Sequence, residues 1–410
     1  MSYLVPKKIR TEPGAGTWSI DIRNAISGRV LTTCYVLPTD LIVTLKQCIK
    51  TVQVVPAITL MTEESEFLNP VETIQEAGLK DGDVVLAVMI PQRLVATAAG
   101  DGFLRTWDVE SGAQERAVPL APTRSLLSAC CTPDGFCLVT GSASGTPKFW
   151  DMKQGFTQKA FEGGHSSSIS SVDVSSNGKR IVTGGYDFLV KVWDCESGKC
   201  LQTFIDPELA EEGLPPRAHL LHLLCVRFSP YDPNLVASAS ADCTAKLWDV
   251  KDGRCLHTVS KSIPAPKPAD PPKLSAMTAL CFAANGTQLV TASENMATLW
   301  NVKTGKELRT WEAHTSLVTS LALAVEDSVL LTGSKDGTAK VWDLPSGLCR
   351  RTLQGHDGPV MAVALSPDSK SAVTGGSDGQ AKVWDTQTGT CERTLEGSKL
   401  GLVMANFVSC

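Results

Sequence analysis

The chain contains no apolar run near the roughly 18 residues that a membrane-crossing helix needs; its longest spans Val84–Ile90. No Cys-x-x-Cys spacing occurs, although fourteen cysteines are present. Paired thiolates at that spacing are a common grip for structural zinc, so no metal site is expected. Neither Gly-x-x-x-x-Gly-Lys-Ser/Thr nor Gly-x-Gly-x-x-Gly appears. Without a phosphate cradle, no nucleotide and no other cofactor is expected. An excess of positive charge is also missing. The 38 basic against 43 acidic residues leave a net charge of −5, which draws no nucleic acid. The N-terminal residues Met1 to Lys8 put their charge after the apolar stub, not before it, unlike a secretory signal. The expected place is cytoplasmic, with the nucleus second, and no membrane contact is foreseen. A hydrophobic content of 43% excludes a wholly disordered chain.

What is present is a repeat. Nine Trp against only four Tyr is an unusual ratio, and seven of the nine fall in register. Trp107, Trp150, Trp193, Trp248, Trp342 and Trp384 are each followed by Asp, and Trp300 by Asn301. Their spacings are 43, 43, 55, 52, 42 and 42 residues. Between them recur Gly-His, an apolar strand, Ser-Pro-Asp, a strand ending in Thr-Gly-Gly, Asp-Gly, and Ala-Lys-Val-Trp-Asp, most clearly over residues 355–385. Short alternating runs bounded by turn residues are strands. A period near 42 with four strands per unit reads as a propeller blade. Cys200, Cys255, Cys349 and Cys391 recur just after a turn and are expected to be small buried hydrophobes in a reducing compartment.

These units resemble the WD-repeat family over about three quarters of the sequence. The resemblance implies a mainly β fold with seven blades over residues 93–410. Residues 402–409 then supply the inner strand of blade 1, because Leu402 follows Trp384 by the same 18 residues that separate Val360 from Trp342. Joining both chain ends in one blade removes an open edge. An alternative gives that place to residues 84–89. After a tail at 1–15, residues 16–90 read as a hairpin around Ser27-Gly28, a helix from about Asp40 to Thr51 with Leu41, Leu45, Cys48 and Ile49 on one face, a strand at 58–61, a helical turn at 73–79 and a strand at 84–89. That order resembles the small α+β, β-grasp fold of ubiquitin-like domains. Ile90-Pro91-Gln92 runs straight on, so the domain is expected to dock or pack, not to be conjugated.

Four histidines, His165, His219, His314 and His356, share one slot before an inner strand. The same units carry Thr183, Ser238, Thr332 and Thr374, then Asp187, Asp242, Asp336 and Asp378, then Trp193, Trp248, Trp342 and Trp384. The family resemblance implies four structural tetrads, in which a buried Trp N–H and a turn Asp satisfy one another through His and Ser/Thr. A catalytic Ser/His/Asp reading would need four identical active sites, and no enzyme is expected. Gly375-Gly-Ser-Asp-Gly379 matches the Gly-x-Ser-x-Gly nucleophile elbow but precedes a strand where that motif needs a helix. Units 1, 2 and 5 break the pattern, with no His in unit 1, Ser144 in the Asp position of unit 2, and Glu294-Asn295 in unit 5.

The two long spacings place inserts at 206–217 and 261–273, both on the face that carries the His slots. The first is acidic, with Asp206, Glu208, Glu211 and Glu212, and calls for a basic or amphipathic partner segment. The second contains Pro264, Pro266 and Pro268 and favours extended polyproline II. Tyr186 and Lys335 are the candidate anchors on the same rim. The expected function is a scaffold that is monomeric within a larger complex and binds proteins or peptides on this top face. The alternative is a ubiquitin-pathway adaptor, either a substrate receptor or a proteasome or ligase adaptor, that docks through its N-terminal domain.

Overall fold

The computed structural model describes residues 17–24, 30–39, 45, 57–62, 73–90, 93–120, 126–132, 137–151, 157–161, 163–210, 213, 215–260, 262–263, 273–324, 328–398 and 400–409. They fall into two compact units that divide at Arg93.

In the first unit, β1 (Trp18–Asn24), β2 (Val30–Val36), β3 (Ala57–Thr62) and β4 (Val84–Ile90) form one sheet in the order β2-β1-β4-β3. The hairpin β1–β2 and the pair β3–β4 are antiparallel, and the central pair β1–β4 is parallel. Alternation along β1 buries Ile20 and Ile22 against Cys34, Val36 and Val85, with Leu45, Ile74 and Leu79 closing the core. Leu45 is helical and fully buried, whereas Leu41, Cys48 and Ile49 lie outside the described residues. Residues 73–78 make a single helical turn. The Thr73 hydroxyl accepts from the Glu76 N–H at 3.2 Å, the Glu76 carboxylate accepts from the Thr73 N–H at 2.9 Å, and Gly78 at φ +74° ends the turn. The strand Val84–Ile90, the alternative for closing the ring, is paired inside this sheet.

Among the described residues, the second unit holds seven four-stranded antiparallel sheets, or blades, and one two-stranded ribbon. Their inner strands are Leu402–Ser409 (blade 1), Leu126–Cys131, Ile169–Val174, Leu223–Phe228, Met277–Phe282, Val318–Leu323 and Val360–Leu365 (blade 7). Each inner strand touches the next, and blade 7 touches blade 1, so the order is cyclic. Blade 1 joins the two ends of the unit: Leu402–Ser409 pairs antiparallel with Arg93–Ala99. Blades pack face to face through the aliphatic residues of neighbouring sheets. In blades 3 and 6 the approach is close enough to dictate glycine in the second strand. A Cβ on Gly184 would lie 2.8 Å from Val226, and one on Gly333 2.8 Å from Val363. The recurrent Thr-Gly is thus a packing requirement of the next blade.

Two further sets of bonds tie blade to blade. Near the channel, the hydroxyls of Ser170, Thr278 and Thr319 donate to the carbonyls of Leu223, Val318 and Val360 in the following blade, at 2.5–2.6 Å. At the circumference, His257 bonds to the Lys303 carbonyl, and Arg309, Arg351 and Arg393 donate to those of Pro345, Gln387 and Glu110. These residues hold one register position on the outer strand and cross to the turn of the next blade. The recurring cysteines at the start of the outer strands require a correction to the sequence reading. Cys200, Cys349 and Cys391 are exposed and Cys255 half-buried, because the outer strand is a solvent-facing edge and not a core layer.

Candidate interaction face and its histidine tetrads

In blade 3, Asp187 Oδ1 lies 2.7 Å from His165 Nδ1, Thr183 Oγ1 lies 2.7 Å from His165 Nε2, and Trp193 Nε1 donates to the same Thr183 hydroxyl at 2.8 Å. Blade 4 repeats this with His219–Asp242 at 3.0 Å, His219–Ser238 at 2.7 Å and Trp248–Ser238 at 2.8 Å. In blade 6 the corresponding distances are His314–Asp336 2.9 Å, His314–Thr332 2.7 Å and Trp342–Thr332 3.0 Å. In blade 7 they are His356–Asp378 2.8 Å, His356–Thr374 2.7 Å and Trp384–Thr374 2.8 Å. One protonation pattern satisfies every member. The indole N–H donates to the hydroxyl, the hydroxyl donates to Nε2 of a neutral imidazole, and Nδ1–H donates to the carboxylate.

The electrostatics agree with that pattern. Burial lowers the pKa of His219 and His314 below the ordinary histidine value, against the pull of Asp242 and Asp336. Burial also pushes the Asp336 carboxyl up, but hydrogen bonds from Thr338 and His314 outweigh it and hold the group at about 2. Asp187, Asp242 and Asp378 are likewise lowered: burial opposes the shift, and their histidine and backbone donors prevail. The four imidazole side chains are 0–2% exposed and present no edge to a substrate. The tetrads staple each blade internally.

Blades 1, 2 and 5 keep half of the device. Trp107 donates to Thr97 at 2.9 Å, Trp150 to Thr140 at 2.9 Å and Trp300 to Thr291 at 2.8 Å. Sequence reasoning passed over these three bonds because it searched for histidine. The available signal was a Thr nine or ten residues before each Trp. In the acid position, Asp101 is gripped by Arg105 at 2.7 Å, Ser144 meets Ser142 at 2.8 Å, and Asn295 donates to Glu312 at 2.9 Å.

The turns before the inner strands and the tetrad aspartates form one rim. Tyr186 is 45% exposed, with its ring 4.8 Å from that of His222 in the next blade. Lys335 is exposed. Leu220 and Leu221, which follow His219 directly, are 47% and 46% exposed, and the sequence reading did not name them. Their signal was the contrast with the polar residues Ser166, Thr315 and Asp357 that follow the other three histidines.

Asp206 requires correction. It was expected to offer charge to a partner, yet it is 4% exposed and ion-paired with the equally buried Lys246. Lys246 lies 5.9 Å from the Trp248 ring, where an unpaired cation would be costly. Asp206 also accepts from the Glu208 N–H at 3.0 Å, capping the short 3-10 turn Pro207–Leu209. It anchors the insert to the tetrad layer, while Glu208 remains exposed. Glu211, Glu212, Pro264, Pro266 and Pro268 lie outside the described residues. The ends of the second insert, Ser262–Ile263 and Lys273–Leu274, pair antiparallel, and the proline-rich stretch expected to be polyproline II lies between them, outside the described residues.

Comparison with known proteins fits this geometry. The family model for the WD domain, G-beta repeat, matches residues 120–151, 156–194, 215–249, 305–343 and 347–385. Four of the five segments carry a complete tetrad, and none covers blade 1 or the strands of blade 5 before residue 305. The chain is 30% identical to Protein Notchless of Drosophila melanogaster over 132 residues, 31% of this chain and 25% of that protein. It is 29% identical to Autophagy-related protein 16 of Arabidopsis thaliana over 119 residues (29% and 21%). It is 28% identical to Target of rapamycin complex subunit wat1 of Schizosaccharomyces pombe over 117 residues (28% and 34%). The chain thus spans between a fifth and about a third of the length of these relatives. The matched segments show that the chain carries WD40 repeats, and over them it is similar to the relatives named above.

Proposed function

We propose that this chain is a non-enzymatic protein-interaction scaffold, a seven-bladed WD-repeat propeller that captures a partner segment on the rim carrying its histidine slots. The observation that carries this reading is the patch made by Tyr186, Leu220, Leu221 and His222 across blades 3 and 4. Apolar side chains at a turn, with the tilted Tyr186–His222 ring pair beside them, cost solvation when free and are repaid on docking. The cyclic contact of seven inner strands supports the blade count. Buried imidazoles support a structural role for the tetrads over a catalytic one.

The partner class is protein or peptide, supported by the WD40 repeats of this chain and by its likeness to a complex subunit, the Target of rapamycin complex subunit wat1. The first unit reads as a ubiquitin-like, β-grasp module. Its sheet order β2-β1-β4-β3, with a parallel central pair, supports that reading.

A photo-crosslinking amino acid at position 186, compared with one at Tyr231, tests the face. Tyr231 is 76% exposed in the turn at the opposite end of blade 4. Partner proteins should be trapped from position 186 and lost from it when Leu220 and Leu221 are both changed to Ser. Equal trapping from Tyr231, or trapping at 186 that survives the double substitution, would move the site elsewhere.

A further inference from the structure

The inner strands enclose a central cavity of about 650 Å³. One layer of its wall is uneven in chemistry. The fifth residues of the inner strands in blades 2 to 5 are Cys130, Asp173, Arg227 and Cys281, and those of blades 7 and 1, across the ring, are Ala364 and Asn406. The layer lies four residues of extended chain, about 13 Å, from the rim where the inner strands begin. It is therefore separate from the face described above.

Arg227 is the distinctive member. Its Nη1 donates to the Val226 carbonyl at 2.8 Å and to Ser171 Oγ at 3.4 Å. Among the described residues, Nε and Nη2 have no protein partner, and no carboxylate forms an ion pair with the guanidinium. The neighbouring Asp173 is committed elsewhere: one oxygen accepts from the Phe228 N–H at 2.8 Å and the other from the Cys130 thiol at 3.4 Å. Burial pushes the Asp173 carboxyl up, against the pull of Arg227. A half-buried guanidinium with one free donor edge, Nε and Nη2, in a walled cavity is complementary to an oxyanion, which it grips through paired N–H bonds. Small side chains on the far wall leave room for such a ligand, and the Asn406 carboxamide there supplies a further donor.

We propose that the central cavity binds a small oxyanion, phosphate or carboxylate, with Arg227 as its anchor and Asn406 as a second donor. The site takes a free small molecule and does not depend on partner capture at the rim.

The test uses the full chain with inorganic phosphate and with acetate as separate probes, at ionic strength held constant with sodium chloride. Line broadening of the phosphate 31P resonance and calorimetric titration read the binding. Saturable binding is expected for at least one probe, and which of the two binds tells phosphate from carboxylate. Arg227→Lys keeps the charge but loses the fork, and should weaken binding at least about fivefold. Asp173→Asn keeps an acceptor for Phe228 and removes the competing charge, so it should tighten binding severalfold, a change that a purely structural role for Asp173 would not produce. Arg254→Gln, at an exposed arginine, should leave binding unchanged. Absence of saturable binding with both probes, or equal binding by Arg227→Lys and the parent, overturns the proposal. If Arg227→Lys does not fold, the Asp173→Asn result decides: unchanged or weaker binding sinks the idea.

Discussion

Blades 2 and 3 are neighbours with the same strand order and the same indole-to-threonine bond, 2.9 Å in one and 2.8 Å in the other. They part at the next link. In blade 3 the threonine continues through His165 to Asp187, whose carboxylate also accepts from the Ser166 N–H and so holds the turn of the inner strand. In blade 2 the chain of bonds stops at Thr140, and Ser144 satisfies itself on Ser142. The indole–hydroxyl bond joins the second and third strands of a blade. The histidine and acid extend that tie to the segment leading into the inner strand. Blades 3, 4, 6 and 7 are latched across their whole depth, and blades 1, 2 and 5 are latched only in the middle.

Blade 1 gives the largest expected effect, because it has no His–Asp link and takes its inner strand from the far end of the chain. Deleting residues 402–409 removes the strand that pairs with Arg93–Ala99 and strips Leu402, Met404 and Ala405 from two cores. The truncated chain should lose cooperative unfolding or aggregate, an effect beyond the roughly 4–5 kcal/mol that marks an exceptional substitution. A truncated protein that melts like its parent would mean that the ring closes another way.

Next come two acids in one insert. Asp206→Ala leaves Lys246 buried without its counter-charge beside the blade 4 tetrad, and should cost about 3–5 kcal/mol. Glu208→Ala, exposed two residues on, should change stability by less than about 0.5 kcal/mol. Denaturant melts of the two variants compare them directly, and similar midpoints would contradict the burial of Asp206.

The latch itself is probed by Asp242→Ala against Ser144→Ala. The first orphans His219 and the Leu220 and Thr244 donors, for a loss of about 3 kcal/mol; the second removes one serine–serine contact, worth about 1 kcal/mol or less. Equal losses would erase the distinction between the two kinds of blade.

Smaller and graded is the dependence on pH. Burial holds the folded-state pKa of His219 and His314 below the ordinary value of 6.5, so the folded state binds those protons less readily than the unfolded chain. Their contribution is complete above about pH 6.5 and shrinks as pH falls below it. Asp336, held at about 2 against an ordinary 3.8, adds a second decline as pH falls through that interval. Melting temperature followed from pH 8 to pH 3 should drop in these two steps, and His314→Gln should flatten the upper one. A melting temperature that rises on acidification from 7 to 5 would contradict the neutral-histidine assignment.

Much of this architecture was legible in the chain, for a physical reason. A blade needs its Trp, its turn acid and its hydroxyl at fixed positions, so the tetrads of blades 3, 4, 6 and 7 appear as recurring letters. The less legible features are those in which position matters and chemistry varies. His257, Arg309, Arg351 and Arg393 perform one crossing between blades with two side-chain types, and only the register unites them. Asp206 was misread because a run of acids looks like a charged loop until Lys246 is found behind it. The exposed cysteines were misread because a repeated small residue suggests core, whereas an outer edge repeats just as faithfully. In the first unit, the hairpin and the last strand were visible from alternation. The pairing of Val84–Ile90 with Trp18–Asn24 is a contact across sixty residues that no local pattern announces.

The central claim is that a complete histidine tetrad makes a blade locally more stable than the indole–hydroxyl bond alone. Native-state hydrogen exchange of the Trp indole N–H groups measures this most directly, since all seven indoles donate to a Ser or Thr hydroxyl in the same geometry. Slower exchange is predicted at Trp193, Trp248, Trp342 and Trp384 than at Trp107, Trp150 and Trp300, with Asp378→Ala moving Trp384 into the faster group. Indistinguishable rates across all seven, or no change at Trp384 in that variant, would contradict the account.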